Sequence, residues 1–243
     1  MRIVHTLSLV IGLFFFLTSH AQETGKGQKT LHVPYIDRIV EEADKVPAIL
    51  DAADVPFQEI ASVNWSAYPY RPTVRFRVAH TGKAILVHYQ VEEECVAALA
   101  RDGGEVFKDA CCEFFIAPTD DGIYYNFETN CAGALLLEAG KGKGTLRNVA
   151  PKQVFALVKR WASLGREPFS LRKEQTSWQL ALIIPVEAFY RHQVTSLSGQ
   201  HMRANFYKCG SGLCRRHYLS WNPIRTATPN FHQPKYFGTL VFE

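Results

Sequence analysis

From residue 72 onward, apolar and polar positions alternate with a period of two, the mark of strands with one face buried and the other solvated. Val74-Arg75-Phe76-Arg77-Val78 predicts one such strand, and Thr81-Gly82-Lys83 turns the chain back into a second over residues 85–91, a hairpin. Cys111–Ala117 predicts a third strand, closed by Pro118-Thr119-Asp120-Asp121-Gly122. Residues 123–131 predict a fourth, with 134–137 following the break at Gly133. Residues 153–161 read as a strand carrying Val154, Ala156, Val158 and Arg160 on one side. Residues 178–184 are apolar enough for a central strand, and 201–208, 216–221 and 237–242 complete the set. Helical signal is sparse: one turn over 185–189 and another over 92–100. Many short strands separated by turn residues predict an all-β fold, a β-sandwich of jelly-roll type with antiparallel sheets and short helical turns. With no linker and no internal repeat, 22–243 reads as one domain.

The first 21 residues fall outside that pattern. Arg2 and His5 lead into an apolar run from Leu7 to Leu17, and Ser19-His20-Ala21 places small residues at −3 and −1. This is the pattern of a cleavable secretory signal. The run falls short of the ~20 residues that a bilayer span needs, and no later stretch reaches it. The expectation is an exported chain without a membrane span, periplasmic or extracellular, starting near Gln22.

Composition narrows the class. Of 243 residues, 47% are hydrophobic and 21% charged, a globular balance that excludes a disordered tail or a collagen-like fibre. The formal net charge of +4 is dispersed, and no block of Lys and Arg marks a nucleic-acid partner. Export gives the six cysteines meaning, because oxidising compartments permit disulfides. No C-x-x-C is present, which argues against a zinc or redox site. Cys111 and Cys112 point to opposite faces of a strand. Cys209 and Cys214 could close a small hairpin loop as a disulfide; buried free thiols are the alternative.

Several motifs have simpler readings than the chemistry they suggest. Gly140-Lys141-Gly142-Lys143-Gly144-Thr145 lacks phosphate-loop spacing and a following long helix, so it reads as a surface hairpin loop. A haem site would use Met202 beside His201, but adjacent strand residues face opposite ways, and Met202 alternates with Ala204 and Phe206 as a core residue does. Glu113 and Glu128 each sit inside a strand-like run, where acids are depleted. As a pair they could hydrolyse a glycosidic bond; with no second feature supporting catalysis, a polar binding face is preferred.

The aromatics carry the clearest message. Sugars present apolar C–H faces ringed by hydroxyls, so their sites want flat rings beside amides, carboxylates and guanidiniums. Phe107, Tyr124, Tyr125, Tyr218, Trp221, Phe231, His232, Tyr236 and Phe237 are interleaved with Asn126, Glu128, Asn130, Asn205 and Asn222.

Read together, several segments resemble the family-9 carbohydrate-binding modules. Val106-Phe107-Lys108-Asp109-Ala110-Cys111-Cys112-Glu113-Phe114-Phe115 is similar to the family's aromatic-x-Asp-Ser-x-Glu-x-Phe strand. Tyr124-Tyr125-Asn126-Phe127-Glu128-Thr129-Asn130 is like the strand that follows it. Trp178 to Pro185, Arg203 to Lys208, Leu219-Ser220-Trp221-Asn222-Pro223 and Pro229 to Gly238 extend the likeness over roughly residues 35–243. The resemblance implies a β-sandwich without enzymatic activity that clamps a sugar between two rings. It assigns Phe107 and Trp221 as the rings, and Glu113, Asn126, Glu128 and Arg203 as partners of the hydroxyls. Phe107 stands where the family usually has Trp, and Ala110 where it has Ser. Some members hold a structural calcium, for which only Asp120 and Asp121 in a turn come into view; no other cofactor is implied. Family modules commonly serve glycoside hydrolases, which are the partners implied besides the carbohydrate itself.

For a disaccharide of ~23 heavy atoms, ~0.3 kcal/mol per atom gives a ceiling of roughly 7 kcal/mol, which corresponds to a Kd on the order of 10 μM. The rival readings are a glycoside hydrolase using Glu113 and Glu128, and a haem-binding sandwich.

Overall fold

The computed structural model describes residues 22–24 and 27–243, and the secretory-signal reading of residues 1–21 lies outside them. Seventeen strands occur among the described residues. β1 (Gln22–Thr24) and β2 (Gln28–Val33) precede the helix α1 (Val46–Ala52). Then come β3 (Gln58–Glu59), β4 (Ser62–Val63), β5 (Thr73–His80), β6 (Ala84–Glu93) and β7 (Val96–Ala98). β8 (Cys111–Ala117), β9 (Tyr124–Asn130), β10 (Leu135–Gly140) and β11 (Arg147–Val149) lead to the helix α2 (Lys152–Leu157). β12 (Lys159–Ala162), β13 (Phe169–Arg172), β14 (Thr176–Pro185), β15 (His201–Cys209), β16 (Tyr218–Ser220) and β17 (Gly238–Phe242) complete the chain.

The strands form two main sheets. The larger runs β1-β2-β17-β15-β8-β9-β10-β11, with β16 beside β15 and β4 beyond it; the smaller runs β12-β14-β6-β5-β3. β7 and β13 make a separate ribbon. The sheets are not wholly antiparallel as expected: β2 lies parallel to β17. The inner faces of the two sheets meet in one apolar core. Phe76 of β5 stacks on Phe206 of β15 at 3.8 Å between centroids, and Phe206 stacks on Phe114 of β8 at 4.7 Å. That burial is the sandwich's main source of stability. The architecture is thus mostly β and sandwich-like. Among the described residues no helix is long and apolar enough to cross a membrane.

Two predicted elements differ. Residues 153–161 are not one strand: Pro151 starts α2, and the chain becomes extended only at β12. Val154, Phe155 and Val158 are buried while Ala156 is exposed, a helical spacing that the apparent alternation concealed. The stretch 92–100 is not a helical turn but the end of β6 followed by β7, whose three residues are all buried.

Candidate ligand-binding site

The period of two sorts each strand of the larger sheet into two faces. In β8, Cys112, Phe114 and Ile116 enter the inter-sheet core, while Cys111, Phe115 and Ala117 join a second apolar cluster on the outer face, with Glu113 between them in the alternation. In β9, Tyr125 and Phe127 point inward, so Tyr124, Asn126, Glu128 and Asn130 share the outer face. The opposite orientations expected for Cys111 and Cys112 are observed. Trp65, Ile224, Phe231 and Phe237 cover much of the outer face, which is why every residue of β8 and β9 is buried.

The cover leaves a cavity of about 290 Å³ on this face. Glu113 and Glu128 lie within it, with Glu138 and Arg147 to one side. Phe107, half-buried, forms one part of its wall; Tyr218 and Phe231 form another. Glu113 and Glu128 are direct cross-strand partners. Burial pushes the Glu128 carboxyl up to about 7. Burial, and then the charge of Glu128, push Glu113 up as well. The Nδ2 of Asn126 donates to Glu128 Oε1 at 2.8 Å, while Glu128 Oε2 is buried without a hydrogen-bond partner.

Arg147 organises the acids from behind. Its guanidinium donates to Asn126 Oδ1, to Tyr124 O at 3.0 Å and to Gly140 O at 2.9 Å, and faces Glu138 at 3.6 Å. It also lies 4.0 Å over the Tyr124 ring, a cation–π contact. The Tyr124 hydroxyl bridges Gly142 O and His232 Nδ1, the latter at 2.9 Å. Burial and then Arg147 lower His232 to about 3, so its ring is neutral. Gly140 must be glycine: its φ is +158°, and a Cβ there would meet Leu146 O at 2.2 Å.

The structure brings together three of the six residues expected at the site. Phe107, Glu113 and Glu128 line the cavity. Asn126 is fully buried and acts on the site through Glu128. The other two are corrected. Trp221 is 1% exposed and packs in the core, edge-on to Phe206 and Phe76 at 6.0 and 6.1 Å. Gly238 is pressed against it so closely that a Cβ would lie 2.6 Å from Trp221 Cζ3. No face of Trp221 is open to a sugar. Arg203 donates to Gly238 O at 3.1 Å and to Phe237 O, fixing the start of β17 away from the cavity.

Arg147, Glu138, Tyr218, Phe231 and Ser211 are site residues that sequence reasoning passed over. Tyr218 and Phe231 stood among the quoted aromatics. Arg147 and Glu138 carry no local signal, because Arg147 reaches β9 only once β11 pairs with β10.

Other expectations also resolve. In the turn that holds Asp120 and Asp121, Asp121 Oδ1 accepts from Ile123 N at 2.9 Å and Oδ2 faces His192 at 3.4 Å. Among the described residues no group of three or more His, Cys, Asp or Glu could hold a metal ion. Met202 is buried in the core and His201 is exposed, on opposite faces. The disulfide joins Cys95 to Cys214, not Cys209 to Cys214; Cys209 stays a buried thiol that donates to Phe107 O. A wider groove of about 960 Å³ on the outer face of the smaller sheet is lined by residues such as Arg75 and Gln90, which pair with each other at 2.7 Å. It lacks the combination of aromatic wall and buried, unpartnered carboxylate.

A sandwich with an aromatic-walled, acid-floored pocket on one sheet face defines a class of small-ligand binding modules. Within that class the chain belongs to carbohydrate-binding family 9, whose sequence profile matches residues 44–242. It is similar to a crystal structure from Bacteroides uniformis assigned as a carbohydrate-binding protein, with 49% identity over 89% of this chain and 100% of that one and a TM-score of 0.87. It shares its fold with a family-9 carbohydrate-binding module from Caldicellulosiruptor kristjanssonii in complex with glucose, at 14% identity, 88% and 96% coverage and a TM-score of 0.55. The same holds for a module from that organism in complex with cellotriose, at 13% identity, 88% and 94% coverage and a TM-score of 0.56. A search of curated proteins found no match.

Proposed function

We propose that this chain is a non-catalytic carbohydrate-binding protein that holds a sugar in the cavity walled by Phe107, Tyr218 and Phe231. The observation that carries this reading is Glu128 Oε2, buried at the cavity without a partner. An unsatisfied buried acceptor costs about 1–3 kcal/mol, which a ligand hydroxyl would recover. Glu113 and Glu138 supply further oxygens, and the rings supply apolar surface for the C–H face. The glucose and cellotriose complexes of the Caldicellulosiruptor modules agree with this ligand class.

The geometry disfavours glycoside hydrolysis. A glycosidase flanks the scissile bond with its two carboxyl groups. Glu113 and Glu128 are neighbours on one sheet face and approach a ligand from the same side.

The reading extends to three features that rest on sequence. The protein is exported, to the periplasm or beyond the cell, and N-terminal sequencing of the recovered protein should begin near Gln22. It serves polysaccharide capture or breakdown beside glycoside hydrolases. Its sandwich is of jelly-roll type.

The test is calorimetric titration of the mature chain with glucose, cellotriose, xylotriose, mannotriose and laminaritriose. Binding in the micromolar to millimolar range is expected for at least one, weakened at least about tenfold by Glu128→Gln through the lost acceptor. No heat of binding with any saccharide of the panel overturns the proposal.

A further inference from the structure

The half-buried Phe107 ring forms part of the pocket wall, so its placement depends on how its backbone is anchored. Three donors converge on its carbonyl oxygen: Ser211 N at 3.1 Å, Ser211 Oγ at 2.9 Å and the Cys209 thiol at 3.2 Å. Gly212 N adds a bond to Lys108 O at 3.0 Å. The approach is close: a Cβ on Gly212 would meet Lys108 O at 2.8 Å. These donors belong to residues 209–212, where β15 ends and the following loop begins, and that loop is itself fixed twice. Cys214 is bonded to Cys95, 119 residues away beside the end of β6. His217, fully buried, sets Nε2 2.8 Å from Lys208 Nζ and Nδ1 2.8 Å from Arg215 O. Ser211 also lines the cavity.

We propose that the loop 210–217, latched by the Cys95–Cys214 disulfide, is a positioning element of the sugar site, and that Ser211 is the residue through which it holds Phe107 in place. The inference rests on the carbohydrate reading of the cavity. Binding to a wall that must first be ordered is weakened by the fraction of time the wall is competent, and the latch keeps that fraction high. Loop-closure entropy across the disulfide stabilises the whole chain as well, so the test must separate site order from global stability.

Two measurements on the full chain do so, at a temperature well below every variant's unfolding transition. The first is titration with the panel saccharide that the wild type holds tightest. Cys95→Ser with Cys214→Ser is expected to bind about tenfold more weakly, as for a site competent one-tenth of the time. Ser211→Ala is expected to weaken binding without moving the unfolding midpoint, and Ser211→Thr to restore it. Lys45→Ala removes a surface ion pair with Asp44, outside both the loop and the cavity, and should bind as wild type. The second is amide exchange followed by mass spectrometry. In the double serine variant the amides of Ser211 and Gly212 should exchange at least about tenfold faster, with those of β8 and β9 unchanged. Wild-type affinity in the double serine and Ser211→Ala variants, or unchanged exchange at 211 and 212, overturns the inference. If the wild type binds no saccharide of the panel, the carbohydrate reading fails, and the exchange result alone decides whether the latch orders the wall.

Discussion

Glu113 and Glu128 face each other across adjacent strands of the larger sheet, both buried, and they titrate as neighbours rather than as independent acids. Two like charges this close do not ionise together readily. At neutral pH the pair therefore retains a proton, which lets one carboxyl donate and the other accept toward a hydroxyl.

This predicts an inverted pH profile of stability. The Glu128 carboxyl rises from an ordinary 4.5 to about 7 in the folded chain. Between those values the unfolded chain has released a proton that the folded chain keeps, so stability falls as pH rises through the window. The loss is of order 3 kcal/mol for Glu128, and Glu113 shifts in the same direction. Urea unfolding at pH 5 and pH 8 measures it. Glu128→Gln should flatten the profile and be the more stable protein at pH 8. Equal wild-type stability at both pH values would contradict the buried pairing.

Phe107 and Trp221 should now separate cleanly by phenotype. Phe107→Ala removes a half-buried wall and is expected to weaken saccharide binding with little change in unfolding midpoint. Trp221→Ala opens a cavity beneath Phe76 and Phe206 and should cost about 3–5 kcal/mol. Thermal unfolding beside calorimetric titration distinguishes them. A stable Trp221→Ala protein with abolished binding would return Trp221 to the site.

Most strands were legible from alternating polarity, as in β5, β6, β9, β15 and β17, whereas β14 showed itself as an apolar run. The floor of the site was legible for the same reason, since acids inside strands are conspicuous. What could not be read was which face a ring would occupy. Both faces of β8 and β9 are covered, so an aromatic in or beside these strands has two apolar destinations. Trp221 took the inner one, and Tyr218, three residues earlier, took the outer. Arg147 was hidden differently, because its role depends on β11 pairing beyond β10 at the sheet edge, from where its side chain reaches Tyr124 and Asn126 of β9, a contact with no local pattern.

Arg147 is expected to be indispensable. It alone ties Asn126, the Tyr124 and Gly140 carbonyls and Glu138 into one framework. Arg147→Lys keeps the charge but loses the planar fork that reaches several acceptors at once. Both Arg147→Lys and Arg147→Ala should weaken saccharide binding at least about tenfold and destabilise the fold by about 1–3 kcal/mol through acceptors left unpaired. Titration and urea unfolding give the two numbers. A lysine variant with wild-type affinity would show that charge, not geometry, is what the site uses.

The two sheets are also joined by a buried ion pair whose energetics can be tested independently of the ligand. Lys208 Nζ lies 3.0 Å from Glu93 Oε2, and both side chains are fully buried. Trp178 Nε1 donates to the other Glu93 oxygen at 2.8 Å. The Lys208 charge, after burial, holds His217 well below the ordinary imidazole range, so His217 accepts from the ammonium as a neutral ring. Removing one partner of such a pair strands the other without solvent. Lys208→Met should therefore cost about 3–5 kcal/mol. Adding Glu93→Gln removes the stranded charge while keeping an oxygen for Trp178, and should recover most of the loss. A double-mutant cycle by urea unfolding reads the coupling. If Lys208→Met alone is as stable as wild type, the ammonium is not what balances Glu93, and the join between the sheets rests on apolar packing alone.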